Sequence, residues 1–215
     1  MIPLVHDFGG ETILVFGGGP VGARKARRFA RETRTVVVSP DFADRDFGDA
    51  EQVRAAPVPE EVADWVARFE PALVVAATND TDVNDAVVAA ARDAGALVNR
   101  ADRSGERDAG SVVVPATVDD GDVSVAITTG GASPALSKYL RERIEAELDG
   151  AGAMAELTAE IRADLKTSDM SPTERRDAVR AVARNPSVWK ALRSGDANPR
   201  REAARVIRDT QRGEI

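Results

Sequence analysis

The chain has 215 residues and a formal net charge of -7. This acidic balance argues against general nucleic-acid binding, and the absence of cysteine excludes disulfides, thiolate nucleophiles and cysteine-based metal sites. No apolar run approaches the roughly 20 residues that a membrane span requires, and no secretory leader begins the sequence. These features predict a cytoplasmic protein with no membrane or nucleic-acid partner.

The first elements are a strand, a glycine turn and a helix. A strand is predicted near residues 12–16, whose apolar run 13–16 leads directly into Gly17, and a helix is predicted from Pro20 to about Glu32. The glycines follow the GxGxxG spacing, which places a pyrophosphate against the backbone and at a helix N-terminus. A merely structural glycine turn is the alternative. The cofactor-binding residues predicted here are Gly17, Gly19, Pro20, Val21 and Gly22.

The second strand, over residues 35–38, departs from a standard NAD site. Such sites carry an acidic residue at the end of this strand to bind the ribose hydroxyls. Here Ser39 and Pro40 stand in that position and Asp41 follows. Asp41 can reach the ribose or be a solvated loop residue, so the choice between NAD and NADP stays open. We include Asp41 and Phe42 among the predicted cofactor-binding residues.

The following elements predict a parallel sheet with flanking helices. They are a short strand near Val53, a helix over 60–69, a strand over 71–77, a helix over 82–94 and a strand over 96–99. The continuous apolar run 71–77 is typical of a strand buried on both faces. Thr78, Asn79 and Asp80 follow it at the carboxyl edge, where open α/β sheets bind ligands. These three residues are predicted to contact the cofactor.

The second half of the chain becomes helical. Strands are predicted at 112–114 and 123–128, and a glycine turn with Ser133 as N-cap opens a helix over 134–148. A break is predicted at 149–152. Helices are predicted after it over 154–166, 171–184, 188–193 and 199–212. We therefore divide the chain into a Rossmann domain at 1–115, a middle region at 116–150 and a C-terminal helical domain at 151–215.

Four segments in this order and spacing carry a family resemblance. They are GGGPVGARKA from Gly17, VAATND from Val75 with Val83-Asn84 after it, NRAD from Asn99, and VAITTGGASP from Val125. Together they resemble the sirohaem synthase family over about residues 2–148, whereas the helical tail matches loosely. The resemblance implies an α/β fold with a Rossmann-like parallel sheet, a dimerisation region and a C-terminal helical domain.

The resemblance also implies a function. Members of the family oxidise precorrin-2 to sirohydrochlorin with NAD in sirohaem biosynthesis, and bifunctional members then insert ferrous iron, which is a transient substrate. They form homodimers. The aspartate that serves both steps corresponds to Asp102. Thr129 stands where some members carry a phosphorylated serine.

The residues themselves are compatible with this chemistry. A carboxylate at the sheet edge can accept a proton as a hydride leaves, although Asp102 could instead only pair with Arg100 or Arg103. The substrate carries eight carboxylates, which guanidinium groups bind well. The predicted substrate-binding residues are Arg24, Lys25, Arg100, Arg103, Thr128, Thr129, Gly130 and Gly131. With one histidine and no cysteine, no resident metal site is expected.

Two other functions remain open at this level. A dehydrogenase without chelatase activity has the same sequence features as a bifunctional enzyme. A nucleotide-sensing regulatory domain of a potassium transport system also shares the GxGxxG turn and a later polar turn. Such a domain would normally have an acidic residue where Ser39 stands, and it lacks the turn that begins at Thr128.

Overall fold

A computed structural model describes residues 3–102 and 110–212 of the protein. The contacts divide the chain into two compact units. The first comprises the chain up to Val114 together with Gly130–Ala132, and the second comprises Pro115–Thr129 and the chain from Ser133 onward. Each unit is described by itself.

The first unit is built on a five-stranded parallel sheet, as predicted. Its strands are β1 (Thr12–Phe16), β2 (Arg34–Ser39), β3 (Glu51–Arg54), β4 (Leu73–Ala76) and β5 (Leu97–Arg100). Their order is β3-β2-β1-β4-β5, and every neighbouring pair is parallel. Because the chain leaves β1 toward β2 on one side and later returns to β4 on the other, the carboxyl end of β1 is a topological switch point.

Helices cover both faces of this sheet. They are α1 (Pro20–Phe29), α2 (Val62–Phe69), which follows a 3-10 turn at Pro59–Glu61, and α3 (Thr81–Asp93). Alternate residues of β1 enter two apolar clusters: Leu14 and Phe16 pack in the cluster with residues of α2 and α3, and Ile13 and Val15 pack with residues of α1. All four side chains are fully buried, which explains why β1 reads as a continuous apolar run.

Two predictions about this unit are wrong in detail. Helix α1 ends at Phe29 and not near Glu32, because the amides of Glu32 and Thr33 both donate to the Phe29 carbonyl and turn the chain into β2. Residues 112–114 form no strand, and Ser111 makes only an isolated bridge to Val98. The charged sequence over 104–110, which predicts a loop, lies almost wholly outside the described residues.

The second unit consists of a hairpin and five helices. The hairpin pairs β6 (Ala116–Asp120) antiparallel with β7 (Val123–Ile127). The sequence did not predict β6, because its two aspartates hide the strand pattern. The helices are α4 (Pro134–Leu148), α5 (Ala151–Leu165), α6 (Pro172–Arg184), α7 (Pro186–Ser194) and α8 (Pro199–Gln211). Ser133 and Ser171 cap α4 and α6, as expected.

The predicted break at 149–152 is shorter than expected. Only Asp149 and Gly150 separate α4 from α5, and Gly150 adopts a left-handed conformation with φ of 84°. Gly152 lies in the first turn of α5, where its backbone packs directly on the hairpin. A Cβ there would come within 2.6 Å of the Asp120 carbonyl oxygen, and the Gly152 amide donates to the Asp120 carboxylate at 3.0 Å.

Candidate functional site

The glycine turn at the end of β1 is closely packed on two sides and open on the third. Gly17 has a φ of 113°, and a Cβ added to it would lie well inside 3.0 Å of the Ala77 carbonyl oxygen. A Cβ on Gly22 would meet the Gly17 carbonyl oxygen equally closely, whereas one on Gly19 would meet no atom within 4 Å. Gly17 and Gly22 therefore allow a tight turn, and Gly19 leaves its backbone open to a ligand.

A cavity of about 730 Å³ lies at this switch point. Three turns surround it at the carboxyl edge of the sheet: the glycine turn, the segment after β2, and the turn after β4. A fourth segment, the proline-containing run after β3, closes another side. The lining comprises Phe16 to Val21, Val38 to Asp41, Ala56 to Pro59, Ala77 to Asp80, and Val83. Its volume lies within the range of ligand sites, about 300–1,000 Å³.

The cavity fits a dinucleotide. Helix α1 begins here at Pro20 with no side chain capping its N-terminus and no acidic residue in its first turn. Its free amides and the positive end of its dipole can therefore receive a pyrophosphate. Gly19, directly before the helix, leaves room for close approach of the phosphates. The residues present thus match the requirements of NAD or NADP.

At the end of β2, the acidic residue Asp41 comes two residues later than in a standard NAD site, and the structure shows how this turn is held. Ser39 is buried and its hydroxyl donates to the Asp41 carbonyl at 2.7 Å, which fixes the turn. The Asp41 side chain is almost fully exposed and pairs with Arg54 at 3.0 Å, while Arg54 also donates to the Pro40 carbonyl. A carboxylate, the group that binds ribose hydroxyls in NAD sites, therefore lines the cavity beside a guanidinium, the group that accommodates a 2′-phosphate in NADP sites.

Phe42 lies behind the glycine turn and does not line the cavity. Its ring packs edge-on against Phe47 at 5.6 Å, and a Cβ on Gly18 would come within 2.8 Å of it. The Gly18 carbonyl accepts from the Ala43 amide at 2.8 Å. Phe42 and Gly18 thus hold the loop after β2 against the turn, a contact that the GxGxxG spacing alone does not reveal.

The turn after β4 is held by its own hydrogen bonds. The Thr78 hydroxyl donates to the Asp80 carbonyl at 2.9 Å, and the Asp80 carboxylate caps α3 by accepting from the amides of Asp82 and Val83. Asn79 is exposed and makes no side-chain hydrogen bond within the part of the chain that the structure describes. Thr78 and Asp80 therefore shape the cavity wall, and Asn79 presents its amide there.

A second polar cluster lies at the end of β5. Arg100 donates to both carboxylate oxygens of Asp102, at 2.9 and 3.0 Å, and its third nitrogen pairs with Asp85 on α3. The Arg100 side chain is only 9% exposed and that of Asp102 16%. A bidentate pair of this kind fixes the orientation of both groups. Arg100 is the predicted partner of Asp102, and Arg103 lies outside the described residues.

Asn84 connects this cluster to the cavity wall. It is 1% exposed, and its amide oxygen accepts from both the amide and the hydroxyl of Thr78, at 3.2 and 2.8 Å. Its amide nitrogen donates to the Thr78 carbonyl at 3.0 Å, and the side chain also hydrogen-bonds Asp102. One buried side chain thus joins the turn after β4 to the carboxylate after β5. This role of Asn84 was not predicted, although the spacing of Thr78 and Asn84 across a turn and a helix start could have suggested it.

The pKa of Asp102 lies below its ordinary value. Burial raises the pKa, but hydrogen bonds from Arg100, a backbone amide and Asn84, with the Arg100 charge, outweigh that effect. The hydrogen bonds from Arg100 to Asp102 and Asp85, with the charges of these two carboxylates, raise the pKa of Arg100 against the opposing effect of its own burial. Both groups are therefore charged at neutral pH.

This pairing predicts a pH dependence of folding stability. Because the folded pKa of Asp102 is depressed, its contribution is present above the unfolded pKa, 3.8, and is lost as pH falls through the folded value. We expect Asp102→Asn to lower the free energy of unfolding by a constant amount above about pH 5. The difference should shrink below pH 3.8, as measured by urea denaturation. A constant difference down to pH 2 would contradict the pairing.

Lys25 and Arg24 lie on α1 and do not line the cavity among the described residues. Lys25 is half-buried, and no carboxylate in the described part of the chain pairs with it. Burial, with the neighbouring charges of Arg24 and Arg28, lowers its pKa to about 8. Lys25 therefore remains largely charged at neutral pH without a counterion, which suits an anionic ligand.

The Lys25 shift predicts stabilisation on removal of the charge. The unfolded chain binds more protons between pH 8 and 10.5, so this residue destabilises the fold fully below pH 8 and less above it. We expect Lys25→Met to raise the free energy of unfolding by about 1–2 kcal/mol at pH 7. The gain should fall toward pH 10.5. Lys138→Met, at an exposed site, is the control, and an equal gain there would refute the assignment.

The second glycine turn is organised by Thr129. Its hydroxyl donates to the Ser133 carbonyl at 3.1 Å, accepts from the Ser133 amide at 3.2 Å and lies 3.1 Å from the Ser137 hydroxyl. Gly130 and Gly131 have positive φ, at 67° and 89°. The turn and its helix are thus locally determined.

The structure brings some predicted site residues together and leaves others apart. Gly17, Gly19, Pro20, Val21, Asp41, Thr78, Asn79 and Asp80 line one cavity, whereas Gly22 and Phe42 support it from behind. Asp102 and Arg100 form a separate cluster at the same sheet edge. The run Ala56 to Pro59 also lines the cavity, and the sequence offered no signal for it because its residues are apolar.

Among the described residues, no cluster of three or more histidine or acidic side chains is arranged to hold a metal ion. In those same ranges no helix is long and apolar enough to cross a membrane.

Two family models match the chain. The model described as "Putative NAD(P)-binding" covers residues 4–116, and that of the sirohaem biosynthesis protein central region covers residues 120–147. The first match confirms the predicted NAD cofactor. A precorrin-2 dehydrogenase of Methanosarcina barkeri is 32% identical over 200 residues, which cover 89% of this chain and 86% of that protein. The chain belongs to the sirohaem synthase family.

Other members of the sirohaem synthase family are longer. Siroheme synthase 2 of Aeromonas hydrophila is 34% identical over 184 residues, which cover 81% of this chain and 36% of that protein. A siroheme synthase of Nitrosomonas europaea is 36% identical over 169 residues, which cover 75% of this chain and 34% of that one. The chain thus spans about a third of the length of these two relatives.

A solved structure named SirC, precorrin-2 dehydrogenase, superimposes with a TM-score of 0.69 at 24% identity, over 97% of this chain and all of that one. This similarity confirms the predicted α/β fold with C-terminal helices. Membership of the sirohaem synthase family, with the central-region match over 120–147, also argues against a nucleotide-sensing domain of a potassium transport system.

Proposed function

We propose that the protein oxidises precorrin-2 to sirohydrochlorin with NAD in sirohaem biosynthesis. The observation that carries the proposal is the placement of a dinucleotide cavity and a carboxylate cluster at one edge of the sheet, joined through the buried side chain of Asn84. The family relation, and the name of the Methanosarcina barkeri relative, support the substrate.

The reaction removes a hydride and a proton from precorrin-2. NAD, when bound, accepts the hydride. Asp102 is ionised because its pKa is depressed. A carboxylate has about four lone-pair positions, so Asp102 can accept a proton from the substrate while it remains paired with Arg100. Asp85 pairs with the third nitrogen of Arg100, which helps to hold the guanidinium in place beside Asp102.

The substrate carboxylates require cations. We assign this role to Lys25 and Arg24 on α1, with Arg100 and Arg103, and we include the turn from Thr128 to Gly131. Lys25 supports the assignment because it is charged, half-buried and without a carboxylate partner in the described ranges. Asn99 adds an acceptor. Its buried amide oxygen has no hydrogen-bond partner in the described structure, and a pyrrole N–H of the substrate could supply one.

Iron insertion, a homodimer and a cytoplasmic location belong to the same proposed function. Insertion of ferrous iron would release two pyrrole protons, and Asp102 is again the candidate base that accepts them. The alternative is a dehydrogenase that does not insert iron. A homodimer formed through 116–150, with the helical domain over 151–215, completes the proposed organisation. The cytoplasm, which holds the NAD pool, is the proposed location.

An anaerobic assay tests the function and its alternatives. Purified protein is mixed with precorrin-2 and NAD, NADP or no nucleotide, and sirohydrochlorin is followed by absorbance. We expect rapid formation with NAD and slower formation with NADP. Ferrous iron is then added, and faster sirohaem formation with protein than without it would establish the second activity. Equal rates with and without nucleotide would contradict the dehydrogenase.

A further inference from the structure

A groove between α5 and α6 is the most basic surface of the described helical unit that encloses a ligand-sized space. Its volume is about 730 Å³, within the range of small-molecule sites. Its cationic lining residues are Arg162, Lys166, Arg175, Arg176 and Arg180. No carboxylate is among its described lining residues, although the whole chain is acidic with a formal net charge of -7.

These cations are mostly without acidic partners. Arg175 donates to the Lys166 carbonyl at 3.3 Å, Arg176 donates to the Thr173 hydroxyl at 3.2 Å, and only Arg180 forms an ion pair, with Asp177. Within the described ranges, Arg162 and Lys166 make no side-chain hydrogen bond or ion pair. Glu174, the other nearby carboxylate, accepts from the Ser171 amide at 2.7 Å.

The spacing of these positive charges along α5 and α6 destabilises the two helices when no anion is bound. Arg162 and Lys166 stand one turn apart on α5 and its C-cap, as do Arg176 and Arg180 on α6. Like charges at this spacing destabilise a helix. Elsewhere in the same unit Arg205 has an acid at this spacing, Asp209, with which it pairs, although Arg201 also stands one turn before Arg205. A bound polyanion would remove the repulsion in the groove.

The floor of the groove is apolar. Leu165 and Val179 are half-buried and pack on the core of the helical unit, and Ala183 and Pro172 extend this surface. Aromatic residues, on which nucleic-acid bases stack, are absent from its described lining. An apolar floor with a cationic rim fits a flat molecule that has an apolar body and several peripheral carboxylates.

We propose that this groove is a second binding site, which holds a polycarboxylated tetrapyrrole apart from the site of hydride transfer. The choice of a tetrapyrrole rests on the proposed function, whereas the polyanionic character of the ligand rests on the groove itself. The site would retain sirohydrochlorin after oxidation until the next reaction, metal insertion, consumes it.

The test uses uroporphyrin, a stable porphyrin with eight carboxylates, as the probe. Binding to the full chain is followed by fluorescence at low salt. The variant Arg162→Glu with Arg176→Glu reverses two charges of the rim. The control, Arg201→Glu with Arg208→Glu, makes the same change at exposed positions of α8 that lie outside the groove. Circular dichroism checks that both variants are folded.

We expect wild type and control to bind two probes per chain, and the groove variant to lose one site by at least tenfold in affinity. The kcat for precorrin-2 should stay within twofold of wild type. Probe binding that is unchanged in the groove variant would overturn the proposal. Loss of one probe site in a protein that shows no dehydrogenase activity would retain the groove and reject the proposed function.

Discussion

Gly22→Ala is expected to lower the free energy of unfolding by about 2–3 kcal/mol and to abolish measurable NAD binding. The added Cβ would lie well inside 3.0 Å of the Gly17 carbonyl oxygen. That oxygen belongs to the backbone of the turn, which is itself held by the Gly17 amide bond to the Val38 carbonyl at 2.9 Å. The helix or the turn must therefore move. Thermal unfolding and calorimetric titration with NAD measure the two effects.

Gly19→Ala is the matched control for this prediction. Its added methyl group would meet no protein atom within 4 Å, so the free energy of unfolding should change by less than about 0.5 kcal/mol. The methyl group would occupy the space where a pyrophosphate approaches, and we expect NAD affinity to fall at least tenfold. Full NAD affinity in Gly19→Ala would show that the nucleotide does not approach this backbone.

Asp102→Asn is expected to reduce turnover of precorrin-2 by about 10²–10⁴-fold and to leave NAD affinity unchanged. The amide keeps the shape of the side chain but cannot accept a proton at neutral pH. Arg100 retains Asp85 as a partner, so the protein should remain folded. Steady-state kinetics under anaerobic conditions measure the loss, and Asp93→Asn, at an exposed position of α3, is the control. Turnover within threefold of wild type would leave Asp102 with only a structural role.

Asn84 offers a way to separate catalysis from packing at this cluster. Asn84→Ala removes one of the hydrogen bonds that lower the pKa of Asp102 and leaves burial, which raises it. We expect the acidic limb of the pH–rate profile to move to higher pH. A purely structural role for Asn84 would lower stability and leave that limb in place.

The dinucleotide half of the site was predictable because its signals are local. A strand, the three glycines of the GxGxxG spacing and a helix start lie within residues 12–22. A Cβ at Gly17 or Gly22 would collide with backbone atoms, and Gly19 leaves space for a ligand. The parallel sheet followed from the apolar runs of β1 and β4, whose residues are buried on both faces. The order and spacing of the four family motifs then supported the same fold.

The rest depends on contacts between residues distant in sequence. Asn84 and Asp85 meet Asp102 and Arg100 only because α3 packs beside β5, and no spacing rule specifies such a meeting. Strand β6 escaped detection because only Val118 of its five residues is buried. A tertiary contact also explains why residues 112–114 form no strand. The Asn99 side chain donates to the Val112 carbonyl at 2.7 Å, and this carbonyl would otherwise accept a hydrogen bond from a neighbouring strand.

In the proposed reaction, precorrin-2 transfers a hydride to NAD at the glycine-turn cavity. It is tested most directly by measuring NADH and sirohydrochlorin together in one anaerobic reaction with excess precorrin-2. We predict one NADH for each sirohydrochlorin formed with the wild-type protein, and strongly reduced formation of both with Gly19→Ala at low NAD. Sirohydrochlorin formed without NADH, or at equal rates in wild type and Gly19→Ala, would contradict it.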